Sequence, residues 1–124
     1  MSEIHQSGED YLEAILMLQK ENGYARSVDV AKKLKVSKPS VSRAMSILEE
    51  NGYVELGKIG ALELTEKGKE KASAVYERHV LLTKFLEKIT GVSESLAEEN
   101  ACRIEHDIDE EIKIGIEKWM KENE

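Results

Sequence analysis

Cys102, Glu105 and His106 stand at the i, i+3, i+4 spacing that puts three side chains on one face of a helix. A thiol, a carboxylate and an imidazole sharing an arc of roughly 100° can ligate a first-row transition metal. The apolar residues of the same stretch, Leu96, Ala97, Ala101, Ile104 and Ile108, fall on a neighbouring arc. The spacing therefore predicts one face that packs and another that presents ligands. Two further sets offer the same chemistry: the carboxylate pair Asp10 and Glu13, at i, i+3 near the start of the chain, and His79 within a long helical stretch. Each has an ordinary alternative. With 25 acids in 124 residues, acidic pairs arise by chance on solvated faces. A lone histidine is more often structural, and a lone cysteine is commonly a small buried hydrophobe.

The elements that must position these residues follow from apolar spacing and from helix stop signals. Tyr11, Leu12, Ile15, Leu16 and Leu18 predict a first helix over 3–21, stopped by Asn22-Gly23. A short helix over 28–34 follows Ser27. Val36-Ser37 forms a turn, and Ser37 caps a third helix that carries Pro39 in its first turn, where the missing N–H costs little. Val41, Ala44, Met45 and Leu48 mark the buried side of that helix, which ends at Asn51-Gly52. Two helices joined by a tight turn read as a helix-turn-helix. Residues 53–57 and 61–64 alternate apolar and polar around Gly57-Lys58-Ile59-Gly60, as a two-stranded hairpin would. Thr65 then caps a long helix over 66–89, closed by Gly91, and two more helices are expected over 93–106 and 109–121. Ile112, Ile116, Trp119 and Met120 form the apolar stripe of the last one. The fold class is mostly α: a winged helix-turn-helix with a small β-hairpin wing over 1–64, then an all-helical domain over 65–124.

The net charge of −7 hides an asymmetry. Residues 24–46 hold six basic side chains against one acid, a local +5 that leaves −12 on the remainder. Such a basic island on an acidic body is an electrostatic footprint for nucleic acid. Within it, Arg43 suits a bidentate bond to guanine, and Pro39 suits apolar contact with a thymine methyl. Ser37, Lys38, Ser40 and Ser42 lie at the start of the same helix, where phosphates and base edges are met, and Arg26 and Lys33 add to the basic surface. A protein-binding winged helix is the alternative reading of these polar residues.

No apolar run approaches the roughly eighteen residues of a membrane span. The first ten residues lack the basic and apolar regions of a signal peptide. One cysteine forms no internal disulfide, which suits a reducing cytoplasm. An enzyme with Cys102 as nucleophile and His106 as base would need an oxyanion loop, a phosphate cradle or a substrate cleft, and none is evident. No small-molecule substrate is expected.

Three motifs carry a family resemblance: Asn100-Ala-Cys-Arg-Ile-Glu-His106, Tyr76-x-x-His79 with Leu81-Leu82 beyond it, and Glu9-Asp10-Tyr11-Leu12. Together they resemble the diphtheria toxin repressor family of metal-dependent transcriptional regulators, over essentially the whole chain. The resemblance implies a helical metal-binding and dimerisation domain over 65–124, its site shared with the first helix. It implies metal ligation by Asp10, Cys102, Glu105 and His106, with His79 and Glu13 completing an adjacent position. Cys102 matches the iron-type members, whereas Asp10 and Glu13 match the manganese type. Thr83 and Glu98 stand where iron-type members place the Glu and His of an ancillary site, and the SH3-like third domain of those members is not expected in a chain of this length. The implied effector is Fe(II), with Mn(II) next, while Zn(II), Co(II) and Ni(II) would also bind in vitro. The implied partners are a palindromic double-stranded operator and a second copy of the chain, with dimer contacts through Ile112, Ile116, Trp119 and Met120. The implied function is a metal-activated repressor of metal-uptake genes; the alternative is a winged-helix regulator that needs no metal.

Overall fold

Apolar residues at helical spacing and a short alternating hairpin build the elements expected. The computed structural model describes residues 6–57 and 60–124, with side chains from residue 8 onward. The start expected for the first helix at residue 3 lies outside the described residues, as do Lys58 and Ile59 of the wing. The helices are α1 (Gln6–Asn22), α2 (Ser27–Leu34), α3 (Lys38–Glu50), α4 (Glu66–Thr90), α5 (Glu94–Ile104) and α6 (Glu110–Glu122). The strands β1 (Val54–Leu56) and β2 (Leu62–Leu64) lie between α3 and α4. The chain divides into two compact units after Ser73.

In the first unit, α1, α2, α3 and the hairpin enclose one core, in which Leu12, Ile15, Val30, Val41, Leu48, Val54 and Leu62 are essentially inaccessible to water. The antiparallel hairpin pairs Val54 with Leu64 and Leu56 with Leu62, so alternation sets its register. A further pairing outside the hairpin was not legible in the sequence. Arg26 bridges Ala61, and Leu62 N–H donates to the Ala25 carbonyl at 2.8 Å. That bridge holds Arg26 extended, at φ −124° and ψ 156°, so Arg26 rather than Ser27 is the cap of α2 and the helix starts one residue early.

The turn between α2 and α3 is built locally. Lys35 takes the left-handed conformation (φ 57°), and Val36 N–H donates back to the Ala31 carbonyl at 3.0 Å. The Ser37 hydroxyl then accepts from Ser40 N–H at 3.2 Å, fixing the start of α3. At the other end, the Thr65 hydroxyl accepts from Gly68 N–H at 3.1 Å while donating to the Gly52 carbonyl at 2.6 Å. This clasp draws the first turn of α4 onto Tyr53, and Lys67 lies 4.4 Å from the Tyr53 ring centre.

In the second unit, the C-terminal part of α4 is followed by α5 and α6. The Ser93 hydroxyl caps α5 by accepting from Leu96 N–H at 3.2 Å. Phe85 of α4 meets Trp119 of α6 edge-to-face, with ring centres 5.6 Å apart. No residue of α6 is fully buried, and Ile112 and Ile114 are more than half exposed.

Gly68 has no room for a side chain: a Cβ there would lie 2.0 Å from the Tyr53 carbonyl oxygen. Helix propensity alone would make Gly68→Ala stabilising by about 1 kcal/mol. We expect destabilisation instead, by roughly 1–3 kcal/mol of overpacking. Thermal denaturation followed by circular dichroism checks the sign; a melting temperature at or above wild type contradicts the close approach.

Candidate metal centre and nucleic-acid interface

On α5, residues four apart share a face, and the face formed by Ala97, Ala101 and Glu105 is buried. The sequence spacing set the ligand arc apart from the packing arc; the structure overlaps them. Glu105 continues the packing stripe of small residues, whereas Leu96 and Ile104 are exposed. Its side chain has no accessible surface. A carboxylate in that position must find positive charge or donors, because transfer from water costs several kcal/mol.

Two imidazoles meet it. His79 Nδ1 of α4 lies 3.3 Å from Glu105 Oε1, and His106 Nε2 lies 3.9 Å from the same oxygen. Both rings are largely buried, at 12% and 2% side-chain exposure. The second ring nitrogen of His79 faces Glu98 Oε1 at 3.4 Å, and Glu98 is half exposed. Thr83, one turn on, donates its hydroxyl to the His79 carbonyl at 2.7 Å. Glu105 Oε2 has no hydrogen-bond donor among the described residues. A buried carboxylate oxygen of this kind beside two imidazoles fits a divalent first-row cation.

The end of α5 differs from the expected one. The helix stops at Ile104, with Glu105 as its C-cap and His106 in the turn beyond. No Gly or Pro stops it. Arg78, missed at the level of sequence, reaches over from α4 to donate to the Glu105 carbonyl at 3.3 Å and the Ile108 carbonyl at 3.1 Å. Its other nitrogen pairs with Glu110 Oε1 at 2.9 Å. The available signal was negative: a helix ending without glycine leaves carbonyls that need a donor from elsewhere.

The remaining expected ligands are placed as follows. Cys102 is exposed on α5, one turn before the buried Glu105. Asp10 is half-buried on α1, and Glu13 is buried there, with 6% exposure. A buried acid on a helix of the first unit is unusual for a solvated face.

In that unit, the start of α3 is a linked polar surface. Ser37 and Ser40 hydroxyls lie 2.8 Å apart, and Arg43 Nη2 donates to Ser40 Oγ at 3.5 Å. Lys38, Pro39, Ser42 and Arg43 are exposed. The Arg26 guanidinium lies 5.1 Å from the Tyr24 ring centre, which steadies it at the surface, and Lys33 pairs with Glu21 at 3.5 Å. Ile47, one turn beyond Arg43, is 57% exposed and was not singled out in the sequence.

A winged helix-turn-helix followed by a helical unit with a buried acid between two histidines defines a metal-dependent DNA-binding regulator, not an enzyme. Residues 3–62 match the iron dependent repressor N-terminal DNA binding domain, and residues 65–122 match the iron dependent repressor metal binding and dimerisation domain. The chain belongs to this iron-dependent repressor family, that of the diphtheria toxin repressor. It is 36% identical over 119 residues to an uncharacterized HTH-type transcriptional regulator of Methanocaldococcus jannaschii, spanning 92% of this chain and 95% of that protein. It is 41% identical over 100 residues to the HTH-type transcriptional regulator MntR of Bacillus subtilis, spanning 81% of this chain and 70% of MntR. Among solved structures, IdeR of T. acidophilum superposes with a TM-score of 0.85 at 26% identity, covering 98% of this chain and 56% of IdeR. A manganese-dependent transcriptional repressor in complex with manganese gives 0.85 at 27% identity, covering 92% of this chain and 52% of that one. The chain spans about half the length of these two solved structures. No described helix is long and apolar enough to cross a membrane.

A buried charge kept for a ligand costs stability in the ligand's absence. Glu105→Gln is therefore expected to melt at or above the wild-type temperature in excess chelator, although most buried substitutions destabilise. Scanning calorimetry of both proteins checks this; a fall of several degrees contradicts it.

Proposed function

We propose that the chain is a repressor that binds operator DNA as a homodimer when loaded with Mn(II) or Fe(II), and so controls metal-uptake genes in the cytoplasm. The observation that carries the reading is the Glu105 carboxylate, buried between His79 and His106 with one oxygen lacking a donor among the described residues. A bound divalent ion would add the positive charge that favours an ionised carboxylate in this buried position. Glu105, His79 and His106 hold it, with Asp10 and Glu13 of α1 and Cys102 as the further ligands that the family resemblance implies.

The choice of ion follows from donor hardness. Glu105, Glu13 and Asp10 offer oxygen and the histidines offer nitrogen, a set that suits Mn(II) and Fe(II). Cys102, the one soft donor, is exposed, which shifts the balance toward Mn(II) relative to a thiolate-centred site. The likeness to MntR and to the manganese-bound repressor points the same way. Zn(II), Co(II) and Ni(II) would still bind in vitro, because affinity along this series rises away from manganese.

DNA contact falls to α3. Arg43 reads a guanine edge, Pro39 meets a thymine methyl, and Ser37, Lys38, Ser40 and Ser42 hold phosphates, with Arg26 and Lys33 flanking them. A palindromic operator matches a twofold protein, with half-sites roughly 34–36 Å or a multiple apart. Exposed Leu96, Ile104, Ile112 and Trp119, with half-buried Ile116 and Met120, are the apolar surface that a second copy would cover. The eleven acids against four bases in residues 93–124 keep that part away from DNA.

The test is selection from a duplex library with Mn(II) and, separately, with chelator. The selected duplex should bind roughly 5–150-fold more tightly in Mn(II). Equal binding in chelator would leave a regulator that needs no metal. On that duplex, Arg43→Ala should lose roughly 1–3 kcal/mol and relax preference at one base position, whereas Lys38→Ala should weaken all duplexes alike and lower the salt slope by about one. No effect of Arg43→Ala on any duplex would remove α3 from base reading.

A further inference from the structure

We infer that Arg78 is a positioning residue of the metal site, holding the α5–α6 turn so that Glu105 and His106 face His79. This rests on the metal reading above. Arg78 and His79 are consecutive on α4, and both engage the same short segment. His79 meets the Glu105 side chain, while Arg78 binds the Glu105 backbone carbonyl and the Ile108 carbonyl three residues on. The ligand candidates Glu105 and His106 therefore sit inside a stretch whose two ends are tied to one guanidinium.

The charge and geometry suit that task. The last carbonyls of α5 carry partial negative charge and lack helical partners, so a guanidinium at that end is favourable. Arg78 is mostly buried, at 23% side-chain exposure, and its salt bridge to Glu110 at 2.9 Å orients the fork toward the turn. A planar group with five fixed donors can span two carbonyls and a carboxylate at once; an ammonium cannot reach all three from one position. Groups that orient metal ligands without touching the ion commonly change affinity by about 10–100-fold.

The test titrates the chain with Co(II), following its d–d absorption, beside the metal-free melting temperature. Arg78→Lys keeps the charge and should weaken Co(II) binding by about tenfold, with an altered band intensity, while the metal-free protein stays folded. Glu110→Gln, which loses only the exposed salt bridge, should bind within about twofold of wild type. Arg78→Lys that binds Co(II) as wild type does, with the same spectrum, overturns the inference, because rescue by any cation marks a merely structural arginine. Failure of the metal reading looks different. Wild type that takes up no Co(II), or Glu105→Gln that binds unchanged, overturns that reading and this inference with it.

Discussion

A carboxylate with no accessible surface is the constraint on which the second unit turns. Glu105 lies on the same helical face as Ala97 and Ala101, where a residue of its size would ordinarily be apolar. Water is excluded there, and an isolated negative charge would cost several kcal/mol. The surroundings answer with two imidazoles, one from α4 and one from the turn after α5. Imidazole is a partial answer, since it balances the acid only when protonated or when it shares a cation with it. The arrangement is thus stable enough to fold and electrostatically incomplete, the condition expected of a site kept for a ligand.

The first unit solves a different problem, that of presenting a rigid polar helix start to solvent. The Ser37 cap and the left-handed Lys35 are short-range devices that fix the start of α3, and the Thr65 clasp fixes the start of α4. Ser40 and Arg43 are therefore held on a backbone set from beneath by Val41, Met45 and Leu48. Low conformational freedom at that surface reduces what association must spend on ordering. Family membership assigns DNA binding to this unit and metal binding and dimerisation to the other.

What the sequence disclosed tracks the range of the interactions involved. The helix-turn-helix was legible because its signals are local: Asn22-Gly23, Ser37 followed by Pro39, Asn51-Gly52 and the alternation through Val54–Leu56. The Arg26–Ala61 bridge was not, because a single pairing across 35 positions leaves no periodic trace. The candidate ligands Glu105, His106 and His79 were nameable from residue type and from the family motif. Their burial was not, since spacing fixes which residues share a face but not which face turns inward. Cys102 illustrates this: it is close to Glu105 on the helical wheel, yet it is exposed where Glu105 is buried. Arg78 was illegible for a further reason, as its role comes from carbonyls that sequence patterns do not describe.

The central claim is that the inaccessible acid and its two histidines form one cation site. Pulsed electron paramagnetic resonance of the Mn(II)-loaded protein reads this directly, through nitrogen couplings to the bound ion. The account predicts coupling to two imidazoles, reduced to one in both His79→Gln and His106→Gln and lost in the double variant. A Mn(II) signal without imidazole coupling, or one indifferent to both substitutions, would place the ion elsewhere and leave a winged-helix DNA-binding protein whose buried acid serves another purpose.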